Sequence, residues 1–182
     1  MSTEELEIVW KGVMPDLHTT EHVTVRWGEH ILVTSAITGT VEEKLVRVRY
    51  QLQLDAKWQL QYAAIATDKQ TYILQYQQRC WIKNGVPESG LQGCEYIDIN
   101  LTPFTNALPI NRLKLAPGQR QEIQVVYIDL IRQEVKPVWQ RYTRTDATHY
   151  LYEGLDSGFT RTLTVDDNGI VVDYPSLWIR ST

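Results

Sequence analysis

The strict alternation of apolar and polar residues in Val46-Arg-Val-Arg-Tyr-Gln-Leu-Gln-Leu54 constrains the fold more than any other feature of the chain. A side-chain period of two puts Val46, Val48, Tyr50, Leu52 and Leu54 on one face and Arg47, Arg49, Gln51 and Gln53 on the other, which is the pattern of a half-buried β-strand. The period returns in Trp58-Gln-Leu-Gln-Tyr-Ala-Ala-Ile-Ala66, where Trp58, Leu60, Tyr62 and Ala64 share a side, and Asp55-Ala-Lys57 supplies a short turn between the runs. Together they predict a hairpin. Further strands are predicted over 5–11, 21–27, 30–40, 70–83, 94–101, 121–131, 137–144, 148–153, 159–165 and 170–173, all richer in Val, Ile, Thr, Tyr and Trp than in helix formers.

Turn chemistry separates many of these runs. Asn168-Gly169 supplies the two positive-φ positions of a type I′ turn, so Asp167-Asn168-Gly169 predicts a tight hairpin between Thr160–Val165 and Ile170–Asp173. Leu115-Ala-Pro-Gly118 predicts another reversal, with Pro117 fixing φ and Gly118 taking the left-handed position. Helix is confined to one turn after Thr102, which can cap it with Pro103 in the first helical position. More than ten short strands in one chain must close, stack or curl, because a flat sheet of that width leaves its edges unprotected. The predicted class is therefore mainly β with little helix, as a barrel, a sandwich or a strongly curled sheet, with residues 1–182 as a single domain. In Ile123–Ile131 both alternating sets are apolar, so one face packs on the core while the other lines a cavity or meets a covering element.

Composition removes several function classes. Eighteen basic residues against 22 acidic ones leave a formal charge of −4, which lacks the electrostatic footprint of a nucleic-acid binder. No apolar run approaches the roughly 20 residues that cross a bilayer as a helix, and the start, Met1-Ser-Thr-Glu-Glu-Leu-Glu, is acidic where a secretory signal is basic. The expectation is a cytoplasmic protein that does not span a membrane. Cys80 and Cys94, with 13 residues between them, lack metal or redox spacing and read as reduced thiols, a disulfide across the intervening loop being the second choice.

Motifs that would carry chemistry are few. His18-Thr-Thr-Glu-His22 matches an inverted zinc-peptidase pattern, but that chemistry needs a helix, and the β-branched neighbours make this a strand in which positions 18 and 22 lie roughly 13 Å apart. Asp166-Asp167-Asn168-Gly169 hints at a calcium loop, yet the twelfth position is Leu177 where a glutamate is required. No metal and no cofactor is expected. What stands out is the aromatic inventory of six Trp and ten Tyr against two Phe. Such side chains join an apolar face to a polar tip, which suits a wet or amphiphilic pocket.

The run Asp98-Ile-Asn-Leu-Thr-Pro-Phe-Thr-Asn-Ala-Leu-Pro-Ile-Asn-Arg-Leu113 is followed by Val125-Val-Tyr-Ile-Asp129, Tyr150-Leu-Tyr152 and Val165-Asp-Asp-Asn-Gly-Ile-Val-Val-Asp-Tyr-Pro175. In this order the motifs resemble the bacterial family described as "putative glycolipid-binding"; Gly39-Thr-Val and the Tyr50-to-Trp58 hairpin extend the resemblance over most of the chain. The resemblance implies a single β-rich domain, a strongly curved antiparallel sheet forming a partly open barrel, similar in architecture to bacterial lipoprotein carriers, which hold acyl chains in an apolar concavity. It carries over no catalytic residues.

From the residues themselves, Thr102–Leu113 reads as a structured crossover loop, rigidified by Pro103 and Pro109. Arg112 is its exception, able to pair with a ligand phosphate or carboxylate, or with Asp98 or Asp129 inside the fold. The leading reading is a non-enzymatic binder of a glycolipid or other amphiphile, with Trp58, Tyr62, Arg112, Tyr150 and Tyr152 around the site. A second is an enzyme drawing an acid or base from His22, His149, Asp98 or Glu153, which requires one of them to converge with Arg112 in a pocket. A third is a homodimeric interaction module using exposed aromatic strands.

Overall fold

The computed structural model describes residues 4–181; the first three residues of the acidic start lie outside the described residues. The described residues are mainly β, with 61% strand and 7% helix, antiparallel-rich and not closed into a barrel. The chain divides into two compact units, Met1–Gln92 with Ser176–Thr182, and Gly93–Pro175.

The first unit is a meander. β1 (Glu4–Gly12), β2 (Leu17–Trp27), β3 (Ile31–Val41), β4 (Lys44–Leu54), β5 (Leu60–Thr67), β6 (Thr71–Gln77), β7 (Cys80–Lys83) and β8 (Val86–Pro87) pair in chain order, and the late strand β15 (Trp178–Ser181) pairs with β1. Alternation does what the sequence predicts: Leu17, Thr19, Glu21, Val23 and Val25 of β2 are buried, and His18 and His22 on the opposite face are exposed. The His-x-x-Glu-His run is thus a strand, with its glutamate turned away from both histidines. Among the described residues no group of three or more His, Cys, Asp or Glu is placed to hold a metal ion.

The predicted β4–β5 hairpin forms, tied by Asp55 Oδ1, which accepts from the Lys57 and Gln59 amides at 2.8 and 2.9 Å. A register shift beside Leu54 corrects one detail: Leu60 pairs with Leu54 in the core, while Tyr62 pairs with Gln53 and Gln75 on the other face. Leu60 and Tyr62 therefore do not share a side. The predicted strand 70–83 is two strands, reversed at Gln78-Arg79, where φ is 51° and 64°. Glu42-Glu43 reverses β3 into β4 in the same way, at 48° and 62°. Both are two-residue turns of the I′ kind built without glycine.

The second unit orders its strands β14-β13-β12-β11-β10-β9: Val171–Tyr174, Phe159–Val165, His149–Gly154, Glu134–Arg144, Arg120–Asp129 and Tyr96–Ile99. All pair antiparallel except β9 with β10, which is parallel. A parallel pair needs a crossover. Thr102–Leu113 supplies it, but as helix: a 3-10 turn over Phe104–Asn106 runs into α1 (Ala107–Leu113). Thr102 Oγ1 accepts from the Phe104 amide at 3.0 Å, but the cap position of the 3-10 turn is Pro103, one residue later than the sequence predicts. Ala116–Gln119 is the expected reversal, closed by a 2.9 Å bond from the Gln119 amide to the Ala116 carbonyl with Gly118 at φ 85°. At Asp166–Gly169 only Gly169 has positive φ, and Asp166 Oδ1 accepts from the Asn168 and Ile170 amides. The connection is an aspartate-closed turn followed by a left-handed glycine, in place of the predicted type I′ pair. Neither cysteine is in a disulfide; Cys80 is exposed and Cys94 buried.

Candidate functional site

One face of the second unit collects polar-tipped aromatics. Directly paired residues point to the same side, so the register Tyr142–Tyr152–Arg161 together with Asp98–Tyr127 places these side chains on a common face. Along β11 the same face carries Gln140, two residues before Tyr142. Tyr152 is the hub of the rings: its centroid lies 5.4 Å from Tyr142, 6.0 Å from Phe159 and 6.5 Å from Tyr174, all edge-on.

Asp98 stands among them. Its Oδ2 accepts from Gln140 Nε2 at 2.6 Å and its Oδ1 from Thr105 Oγ1 at 3.1 Å, so the strand and the crossover each hold one oxygen. Gln140 is 2% exposed, yet Asp98 itself keeps a partly accessible surface. The crossover is fixed over the face by Tyr142, whose hydroxyl donates to Asn106 Oδ1 at 2.8 Å, and by Asn106 Nδ2, which donates to the Pro103 carbonyl at 3.1 Å.

Burial dominates the electrostatics here. It pushes the Asp98 carboxyl above the usual range, and the Gln140 and Thr105 donors pull it back only in part. Burial, then the charges of Asp98 and Asp129, pushes Tyr127 up to about 12. Tyr152 and Tyr174 are also raised, by burial first and Asp98 next. Their hydroxyls stay protonated at neutral pH. The face thus offers phenol O–H groups, a carboxyl and an amide beside aromatic rings.

The sequence candidates distribute as follows. Tyr152 is at the centre of this face, and Tyr150 lies two residues along β12, 4% exposed, with the Arg144 guanidinium 5.6 Å from its ring centroid. Tyr150 also lines a depression of about 270 Å³ with Ile110, Asn111, Lys114 and Asp166. Arg112, in the last turn of α1, lies 3.6 Å from Glu95 and 5.7 Å from the centroid of the Tyr96 ring; it pairs with neither Asp98 nor Asp129. Asp129 is held by Arg132 and Asn100 instead. Trp58 and Tyr62 belong to the first unit, Trp58 at φ 62° after the β4–β5 turn. The acid and base candidates separate too: His149 bonds Asp146 at 2.9 Å, and Glu153 pairs with Arg141 at 3.2 Å across the strand from Tyr152.

The model of the family described as "Putative glycolipid-binding" matches residues 7–180. The chain belongs to this family. A solved DUF1089 family protein from Pseudomonas aeruginosa is 36% identical, superposes with a TM-score of 0.81, and the match covers 90% of this chain and 92% of that one. No curated protein matches the chain. Membership in the glycolipid-binding family supports a binding role at the family level, and no helix among the described residues is long and apolar enough to cross a membrane.

Gln140, Thr105, Tyr127 and Tyr174 are the residues of this face that sequence reasoning passes over, and it weighs Asp98 only as an acid or base. A signal existed for one of them: Gln140 sits in the alternating row Val138, Gln140, Tyr142, a polar residue at an inward position. Thr105 carried no such mark, because its contact with Asp98 depends on the crossover.

Proposed function

We propose that this member of the glycolipid-binding family is a non-enzymatic binder of a glycolipid or similar amphiphile, held in a concavity of the curved sheet with its polar head on the tyrosine face around Asp98. The observation that carries this reading is a partly accessible carboxyl, held by one buried amide and one hydroxyl, within a set of tyrosines whose hydroxyls stay protonated. Binding sites of this kind orient a polar group with a few placed donors and acceptors while ring faces cover its C–H surface. Each tail methylene that leaves water adds about 0.8 kcal/mol. Tyr152 is assigned to the head group, with Tyr150 and Arg112 at positions further along the same unit. Trp58 and Tyr62 are candidates within the first unit alone. Residence in the cytoplasm belongs to the same reading, in keeping with two free thiols.

Native mass spectrometry of protein purified without detergent tests the proposal, followed by solvent extraction of whatever is retained. The expected result is a retained amphiphile, displaced by a short-chain alkyl glycoside. A protein that is empty as purified and takes up no alkyl glycoside overturns it.

A further inference from the structure

Asp98 has hydrogen-bonding capacity left over, and its surroundings define what can use it. A carboxylate offers about four lone-pair sites, two on each oxygen. Among the described residues Gln140 Nε2 takes one on Oδ2 and Thr105 Oγ1 takes one on Oδ1. One site therefore remains on each oxygen, on a residue that is half-buried as a whole. Two acceptors side by side on one planar group match two neighbouring hydroxyl donors.

The cations of the same face are committed elsewhere. Arg112 pairs with Glu95, Lys136 bonds Glu134 at 2.8 Å, and Arg144 donates to the Leu115, Asp146 and Ala147 carbonyls. Arg161 lies 4.7 Å from the Phe159 centroid and donates to the Thr160 carbonyl. An anionic head brought to Asp98 would meet and be repelled by a carboxylate whose own partners are a neutral amide and a hydroxyl.

Resting on the amphiphile-binding reading, we propose that Asp98 is the specificity-determining residue of the head-group site: it accepts from two adjacent hydroxyls of an uncharged, vicinal-diol head and rejects phosphate or carboxylate heads. Gln140 and Thr105 are positioning residues that hold the carboxylate edge toward the ligand. The diol can come from a sugar or from a glycerol head, since the two share this chemistry.

Four probes with eight-carbon chains, titrated below their micelle concentrations by calorimetry against the whole chain, test the idea. Octyl glucoside and monooctanoyl glycerol carry vicinal hydroxyls, octyl tetraethylene glycol ether has a head of acceptors with a single terminal hydroxyl, and octyl phosphate is anionic. The expected order places one or both diols about tenfold tighter than the ether, as for bonds to a charged acceptor, with the phosphate weakest. Which diol wins identifies sugar or glycerol as the source. Asp98→Asn should cut diol affinity about tenfold and leave the ether unchanged. Equal affinity for diols and ether, tightest binding of the phosphate, or an unaltered Asp98→Asn profile overturns the diol subsite while leaving amphiphile binding intact. Binding of none of the four overturns the underlying reading as well. Should the variant fold poorly, the ranking by the unmodified protein decides.

Discussion

Each unit of the molecule buries a carboxyl on a sheet face, and the two are treated differently. In the meander, Glu21 is 1% exposed and its Oε1 accepts from both Ser35 Oγ and Tyr50 OH at 2.8 Å. The donors come from the next two strands, Ser35 lying directly opposite Tyr50 in the β3–β4 register. In the second unit, Asp98 likewise has two donors, one from a strand and one from the crossover, but it stays partly accessible. Sealed, such a group fixes register, because a slip of one residue would strand its donors in an apolar core. Left open, it keeps acceptor capacity for a molecule from outside. The difference lies in access, since the bonding is nearly the same.

Substitutions can break or sharpen that contrast. Glu21→Leu strands two buried hydroxyls and should cost about 3 kcal/mol in urea unfolding, with amphiphile binding intact in the folded fraction. A smaller loss, about 2 kcal/mol, is expected for Gly39→Ala: Gly39 has φ 148°, and a Cβ there would lie 2.0 Å from the His18 carbonyl oxygen beside the Glu21 row. Its place in β3 opposite Thr19 makes thermal melting a sufficient readout. Tyr50→Phe removes one donor from Glu21 and leaves the other, so about 1 kcal/mol should be lost.

Asp98→Asn has the smallest expected effect and the opposite sign. Burial raises the Asp98 carboxyl above its unfolded value of 3.8, so the native state binds more protons across the window between the two values. Native stability at this site is fully present below 3.8 and falls as pH rises through the raised value. Asparagine cannot ionise. The variant should therefore melt slightly higher than the natural chain at neutral pH, and the gap should close on acidification. A variant that melts lower at neutral pH, as Glu21→Leu does, would make Asp98 a second register pin and erase the contrast.

The strands were largely legible because alternation alone specifies them. In β2, β3 and β4 the buried positions follow a strict period of two, which also identifies the faces. Turns were harder. Gln78-Arg79 and Glu42-Glu43 adopt left-handed conformations with no glycine or asparagine to announce them, so two strands read as one over 70–83. The bulge beside Leu54 similarly defeats a face assignment that assumes an unbroken period. At the candidate site, the surplus of tyrosine over phenylalanine takes the form of a cluster of polar-tipped rings, in which Tyr152 contacts three other rings. Thr105 and Gln140 meet at Asp98 from 7 and 42 residues away, and no local pattern records that meeting.

The parallel pairing of β9 with β10 has a consequence for how the binding face is made. Hairpin partners find each other locally, whereas β9 and β10 align only after the intervening crossover has closed. That crossover contains a seven-residue helix, too short to persist in isolation. Thr105 and Asn106 reach their partners only with it docked, so the tyrosine face around Asp98 matures after the neighbouring antiparallel strands. Amide protons of 104–113 should then exchange with solvent sooner than those of β11 and β12, marking this segment as the first to loosen in the intact protein.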